Sequence, residues 1–494
     1  MRTEHCDILV IGSGFGGSVC ALRAAQAGLR VVVLERGRRM TSEFYESLAL
    51  GRLPVFHGDE APGLLELHRL SGLIALTASA VGGGSNIYTA VTLRPEREVF
   101  AAHWPAGLTC EALAPCYDLV QGMIAPTPIP LALPRTTALE TLAGSLDAAA
   151  VRLPLSMDWP AEPADLCRSP EINGVYRELA VWLKGGRAAR KRTLGQTYLA
   201  QAQAAGAEIR PLHEVQAISP AAGGYRVNYR TTSDENGAIG CSWHGGAITA
   251  GRVVIAAGTL GTVRLLLHCR DVERTLPGLS PALGRRFFIN GDFGGLLVGP
   301  KLELSLDAGP PVTGWLDVWP RERMYLMETG LVPFDFGGFS GLLNPARWFG
   351  GLRLRPADRC TWSFGVMGYG DNPGRLVLGR GGRLVHEHNS AKGNVFLDRS
   401  FVMLRELAAA AGAKLMVPPA IIARRLPITV HPLGGATMAD SPAAGVTDSW
   451  GEVFGCPGLF IADGSIIPAP TGVPPSMTIA AVAERNMEHL LGAG

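Results

Sequence analysis

The segment Gly12-Ser13-Gly14-Phe15-Gly16-Gly17, set directly behind the apolar run Ile8-Leu9-Val10-Ile11, constrains this chain more than any other feature. A short continuous apolar run bounded by glycine reads as a buried strand, and the pattern from Val19 to Ala27, closed by Gly28, reads as a helix. A β-branched run, Val31-Val32-Val33-Leu34, follows and ends in Glu35, eighteen residues past Gly17. Strand, tight turn, helix, strand and acid at these spacings make the βαβ unit of a dinucleotide site. Gly12 permits the sharp turn, Gly14 lets the backbone approach a pyrophosphate, and Gly17 lets helix and strand pack closely. Phe15 and Gly16 complete the expected cofactor-binding turn, and the helix N-terminus behind it offers N–H donors and positive dipole. Glu35 is expected to accept hydrogen bonds from the adenosine ribose, which favours FAD or NAD over NADP.

Composition narrows the class. With 45 Lys+Arg against 43 Asp+Glu, the 494 residues carry a formal charge of +2, which argues against nucleic-acid binding driven by phosphate neutralisation. Hydrophobic residues at 47% and charged residues at 18% suffice for a large core, and the length predicts about two to four domains. The nine cysteines are scattered without a CxxC pair, so neither a zinc site nor a disulfide framework is expected, and no metal is predicted. The first residues enter an apolar run at once, without the regions of a signal peptide, which predicts a cytoplasmic protein. The longest apolar stretches, 71–81 and 253–267, fall short of the about 18 residues of a membrane span. No transmembrane segment is expected, and peripheral membrane contact is compatible with the sequence.

A nicotinamide enzyme would continue with regular βα units after position 35, yet residues 37–200 show none. Strand-like runs resume at 251–258 and 458–464, so distant segments are expected to return to one sheet. Together with Val81-Gly82-Gly83-Gly84-Ser85-Asn86, Leu212-His213-Glu214-Val215, Ala257-Gly258-Thr259-Leu260-Gly261, Asn290-Gly291 and His431-Pro432-Leu433-Gly434-Gly435, these segments resemble the glucose-methanol-choline (GMC) flavoprotein oxidoreductases. Within that family the bacterial cholesterol oxidase branch is the most similar. The resemblance covers nearly the whole length, with the motifs in family order.

What the resemblance implies is an α/β fold: a discontinuous Rossmann-type FAD-binding domain plus an α+β substrate-binding domain with a mixed or antiparallel sheet. The expected division is 1–44, 205–290 and 445–494 for the first, and 45–204 and 291–444 for the second, with the 82–86 loop reaching the FAD. The resemblance puts Val215 by the adenine, and Ala257 and Gly258 beside the cofactor. It brings Gly82, Gly83, Gly84, Ser85 and Asn86 near the flavin or pyrophosphate, with Asp463 and Gly464 at the ribityl or phosphate region. His57, His68 and His103 lie where some relatives attach flavin covalently, but no attachment motif is legible and noncovalent FAD is expected. From Met477 to Leu491 the apolar residues fall at helical spacing, so Pro474-Pro475-Ser476 leads into a helix starting near Ser476. In the family that helix end faces the flavin pyrimidine edge, where negative charge develops on reduction.

Oxidising an alcohol requires a group that takes the hydroxyl proton while the hydride goes to flavin N5. The resemblance makes His431 that group. Two departures bear on the chemistry. Relatives carry Asn-Pro before the last helix, whereas Pro474-Pro475 stands here, and proline has neither N–H nor side-chain donor. Ser476 or Asn86 is the expected substitute. Cys360 falls where cholesterol oxidases have the glutamate used for double-bond isomerisation, and Glu328 is the alternative carboxylate. Of the 34 Phe, Trp and Tyr residues, 14 lie between 286 and 370. Trp315, Trp319, Tyr325, Phe334, Phe336, Phe339, Trp348, Phe349, Trp362 and Phe364 are expected to line an apolar cavity for a sterol, terpenoid, polyketide or long-chain alcohol. The expected activity is oxidation of a CH–OH group of such a substrate, with reoxidation by oxygen or another acceptor. The alternatives are a flavoenzyme of this fold with other chemistry (desaturation, rearrangement, lyase or light-driven reaction), or a binding protein for FAD without catalysis.

Overall fold

A computed structural model describes residues 4–58, 62–167, 175–185, 189–233, 239–306, 308–330, 361–370, 373–388, 395–417 and 427–492. Its main sheet gathers segments far apart in sequence. In spatial order these are Glu208–Arg210, Val31–Leu34, Glu4–Ile11, Ile239–Ile255, Gly224–Ser233 and His213–Ala221. Leu459–Ile461 adds a seventh strand beside the end of 239–255. The register sets Ile11 against both Leu34 and Ile255, and Ile255 against Ile461, all in parallel pairs. Residues 31–34 are buried on both faces, as expected of a parallel strand covered by helices. The earlier half of 239–255 pairs antiparallel with 224–233, so one long strand serves two kinds of sheet.

The first helix, Phe15–Gln26, lies across this sheet and packs on the last, Ser476–Gly492. Arg23 and Glu484 join them, with Nε at 2.6 Å from Oε2, and the Tyr198 hydroxyl donates to Glu484 Oε1 at 2.8 Å. Glu484 is buried, so both donors serve to satisfy its charge.

A second, antiparallel sheet runs in the order Lys414–Met416, Phe293–Val298, Thr361–Gly368, Met324–Thr329, Gly314–Asp317 and Ala149–Arg152. Its period-two alternation assigns Met324, Leu326 and Glu328 to one face and Tyr325 and Met327 to the other. The aromatic residues expected to line a cavity are used differently. Trp315 stacks on Tyr325 with ring centroids 3.8 Å apart, Trp319 stacks on the same ring at 5.3 Å, and Trp362 meets Phe364 edge-on at 4.7 Å. A Cβ on Gly472 would stand 2.4 Å from Trp319, so this stack fills the space beneath the 472–475 segment. All five rings are buried packing, and Met327 is the residue of its strand that reaches the cavity described below. Phe334, Phe336, Phe339, Trp348 and Phe349 lie outside the described residues.

Glu328 is also corrected. It is fully buried, its Oε1 accepts from the Thr313 N–H and hydroxyl at 2.6 Å each, and its Oε2 faces Arg135 Nε at 3.3 Å. Arg135 is itself fully buried and donates to the Ala308 carbonyl at 2.6 Å and to those of Leu306 and Pro310. The pair is an internal clamp, with no access to the cavity.

Candidate active site

The Gly12–Phe15 turn forms one wall of a cavity of about 600 Å³ that runs between the two sheets. Gly12 has φ +97°, the left-handed region, and a Cβ there would lie 2.2 Å from the Ala256 carbonyl oxygen. Gly16 and Gly17 answer to packing: Cβ atoms would fall 1.6 Å from the Ala462 oxygen and 2.2 Å from the Gly12 oxygen. Gly14 differs, since nothing lies within 4 Å of where its Cβ would stand, and it lines the cavity. The same holds for Gly84 and Gly258. As N-cap of the first helix, Gly14 brings no side-chain cap, leaving the first-turn N–H groups to a ligand.

Glu35 lines the cavity with its carboxylate partly engaged. Oε2 accepts from Ser13 N at 3.1 Å and Ser13 Oγ at 2.6 Å, while Oε1 accepts from Gly37 N at 2.9 Å. An ionised carboxylate has about four acceptor positions, so capacity remains for a ribose hydroxyl. Ser13, the unremarked residue between the glycines, also receives a hydrogen bond from Gly82 N at 3.0 Å. Val215, Ala257, Asp463 and Gly464 line the cavity too, and burial holds the Asp463 carboxyl above its ordinary pKa.

The 82–86 loop divides its residues. Gly83 and Gly84 face the cavity, while Gly82, Ser85 and Asn86 do not line it. Ser85 Oγ donates to the Gly82 carbonyl at 2.7 Å and accepts from Leu194 N at 3.0 Å. Asn86 Nδ2 donates to the carbonyls of Val81 and Gly83 at 3.0 Å each. These side chains hold the loop from behind, which removes Asn86 as a donor to a substrate oxygen. Lys191 closes the loop from below, its Nζ donating to the carbonyls of Asn86 at 3.0 Å and Tyr88 at 2.9 Å. Burial pushes the Lys191 pKa down to about 7.

His431 stands at the other end of the molecule's motif order yet lines the same cavity, with Pro432, Pro474, Pro475 and Ser476. Its Nδ1 lies 2.9 Å from Asp292 Oδ1. Asp292 Oδ2 accepts from Thr429 Oγ1 at 2.8 Å, Val430 N at 2.9 Å and His431 N at 3.1 Å. Nearby Asn290 clamps the segment before the last helix, accepting from Thr471 N at 2.9 Å and Gly472 N at 3.0 Å and donating to the Val473 carbonyl at 2.8 Å. Ser476 begins that helix as expected. It is 8% exposed, and its Oγ has no hydrogen-bond partner among the described residues. A buried, unpaired hydroxyl beside Pro475 is chemically positioned for a ligand oxygen. Cys360 lies outside the described residues.

Comparison with known proteins fits this arrangement. An FAD binding domain matches residues 7–53, and the GMC oxidoreductase family matches residues 412–483, the stretch containing His431 and the start of the last helix. In these two stretches the chain is similar to the GMC oxidoreductases. The chain is 28% identical to a cholesterol oxidase of Mycobacterium tuberculosis, over 98% of its own length and 91% of the relative's. It is 25% identical to a 2-methyl-1,2-propanediol dehydrogenase of Mycolicibacterium austroafricanum, over 99% and 95%. Pyridoxine 4-oxidase from Mesorbium loti shares its fold with a TM-score of 0.69 at 16% identity, covering 98% of this chain and 99% of that one. It is an FAD-dependent oxidoreductase, and the open positions at Gly14, Gly84 and Gly258 fit that cofactor. No helix among the described residues is long and apolar enough to cross a membrane.

Two contributors escaped the sequence reading. Asp292 stands next to the noted Asn290-Gly291 pair, but its bond to His431 spans 139 positions. Ser13 stands between two glycines of the motif, and its hydroxyl joins Glu35 to the 82–86 loop.

Proposed function

We propose that this oxidoreductase converts a CH–OH group of a bulky apolar molecule to a carbonyl, with His431 taking the hydroxyl proton at Nε2. FAD, when bound, supplies hydride acceptance at flavin N5 and passes the electrons to oxygen or another acceptor. The observation that carries the reading is His431 lining the cavity with Nδ1 already engaged by a carboxylate. The opposite ring nitrogen is thereby the one offered to a substrate.

The chain's other residues have complementary tasks. Gly12, Gly14, Phe15 and Gly16 cradle the pyrophosphate, Glu35 takes the ribose, Val215 borders the adenine, and Asp463 with Gly464 borders the ribityl chain. The Ser476 hydroxyl holds the substrate oxygen in place of the missing asparagine. Met327, Ile428 and Val430 contribute apolar wall, consistent with a sterol, terpenoid, polyketide or long-chain alcohol. The curated relatives' names, a cholesterol oxidase and a diol dehydrogenase, support the CH–OH group rather than a particular carbon skeleton. FAD is held noncovalently: of the three candidate attachment histidines, His68 lines the cavity, and its Nε2 lies 3.0 Å from Thr77 Oγ1. The division into 1–44, 205–290 and 445–494 for cofactor and 45–204 and 291–444 for substrate, and a cytoplasmic location, belong to the same reading.

The test is anaerobic mixing of the flavin-loaded protein with sterols, terpene alcohols and long-chain alcohols while its visible absorption is followed. Bleaching with at least one class is expected. A flavin band untouched by the whole panel would refute alcohol oxidation.

A further inference from the structure

Asp292 is the buried carboxylate that faces the proposed proton acceptor, and both of its oxygens approach His431 Nδ1. Oδ2 gathers Thr429 Oγ1, Val430 N and His431 N, which shapes the turn, and also lies 3.1 Å from His431 Nδ1. Oδ1 points to the imidazole, 2.9 Å from Nδ1. A turn cap alone would require only Oδ2. Asp292 is 7% exposed, while the His431 side chain keeps 19% exposure on the cavity side. An ionised carboxylate only accepts hydrogen bonds, so the ring nitrogen facing it must carry the proton.

We propose that Asp292 is a positioning residue that fixes neutral His431 in its Nδ1–H tautomer, leaving the Nε2 lone pair free for the substrate hydroxyl. When Nε2 gains that proton, the imidazolium stays hydrogen-bonded to the same carboxylate, which stabilises the positive charge. The proton moves from substrate oxygen to Nε2, and Asp292 stays ionised throughout. The same carboxylate fixes ring orientation through the 429–431 backbone, so tautomer and direction are set together. The catalytic consequence rests on the alcohol-oxidation reading, whereas the tautomer does not.

The experiment uses flavin-loaded full-length protein labelled with ¹⁵N-histidine, the His431 signals being assigned by their loss in His431→Asn. In the wild type, a protonated Nδ1 and an unprotonated Nε2 are expected at neutral pH. Asp292→Asn keeps an oxygen for the backbone donors and turns an N–H toward Nδ1, which permits the opposite tautomer. Its Nε2–H form should grow, and flavin bleaching by a wild-type substrate should slow by about 100-fold or more, with substrate Kd and flavin spectrum unchanged. A wild-type His431 in the Nε2–H form overturns the proposal, as does Asp292→Asn bleaching at the wild-type rate. Slowing that merely tracks lost FAD or altered substrate Kd also overturns it. If no alcohol bleaches the wild type but His431 is Nδ1–H, the tautomer assignment stands and the alcohol reading falls.

Discussion

Gly14 and Gly16 are two residues apart, and replacing each by alanine should give opposite failures. At Gly14 the backbone is extended, with φ −70° and ψ −164°, and the new methyl would meet no protein atom within 4 Å. The entropy lost by the unfolded chain stabilises such a variant by about 0.4–1 kcal/mol. Alanine is a poorer N-cap than glycine by a similar amount, so the apoprotein should be nearly unchanged. The methyl instead enters cofactor space. Overpacking costs about 1–3 kcal/mol, which corresponds to about 5- to 150-fold weaker FAD binding. At Gly16 the Cβ would sit 1.6 Å from the Ala462 carbonyl oxygen, and neither backbone can yield without moving the first helix off the strand at 459–461. That variant should lose about 3 kcal/mol or more of apoprotein stability. Calorimetric melting of flavin-stripped protein, followed by FAD titration, separates the two. Gly14→Ala with wild-type FAD affinity would refute the cradle geometry, and so would a Gly14→Ala apoprotein melting as low as Gly16→Ala.

His431→Asn should retain FAD and its spectrum but lower the bleaching rate by about 10²–10⁴-fold, read by anaerobic stopped flow; a rate within threefold of wild type would remove His431 from the chemistry. Glu328→Gln leaves Arg135 charged and fully buried, so chemical denaturation should register a loss of about 3–5 kcal/mol. An unchanged midpoint would refute the clamp. Burial lowers the Lys191 pKa to about 7 from an ordinary value of 10.5, so the unfolded chain binds more protons between those limits. Lys191 therefore penalises folding most below pH 7 and progressively less as pH rises toward 10.5. The stability difference between wild type and Lys191→Met should change across that window in favour of wild type, and a pH-independent difference would refute the burial argument.

What the sequence disclosed was local. Gly12 through Glu35 lie on one continuous βαβ segment, so residue spacing alone conveys strand, turn, helix and acid. The last helix was legible for the same reason, from its apolar period and the prolines before Ser476. Asp292 was illegible because its partner is brought to it by two loops that meet only in the folded chain. The aromatic-rich region misled for another reason. Alternation along 324–329 tells which residues share a face, but not that Trp315 and Trp319 close over Tyr325 and fill that face with packed rings. Glu328 was misassigned because the arginine that consumes it, Arg135, is remote in sequence.

The order in which the main sheet is assembled has a consequence for biosynthesis. Its first two strands leave the ribosome early, yet the neighbours that flank them are residues 208–210 and 239–255, and the strand at 459–461 comes later still. A nascent chain therefore carries the glycine turn exposed for most of its synthesis, with no opposing wall at Asp463 or Ser476. Cofactor capture is expected as a late, post-translational event that locks a sheet of high contact order. Until the last helix emerges, Arg23 has no Glu484 to pair with, so the tie between the first and last helices is also a late event.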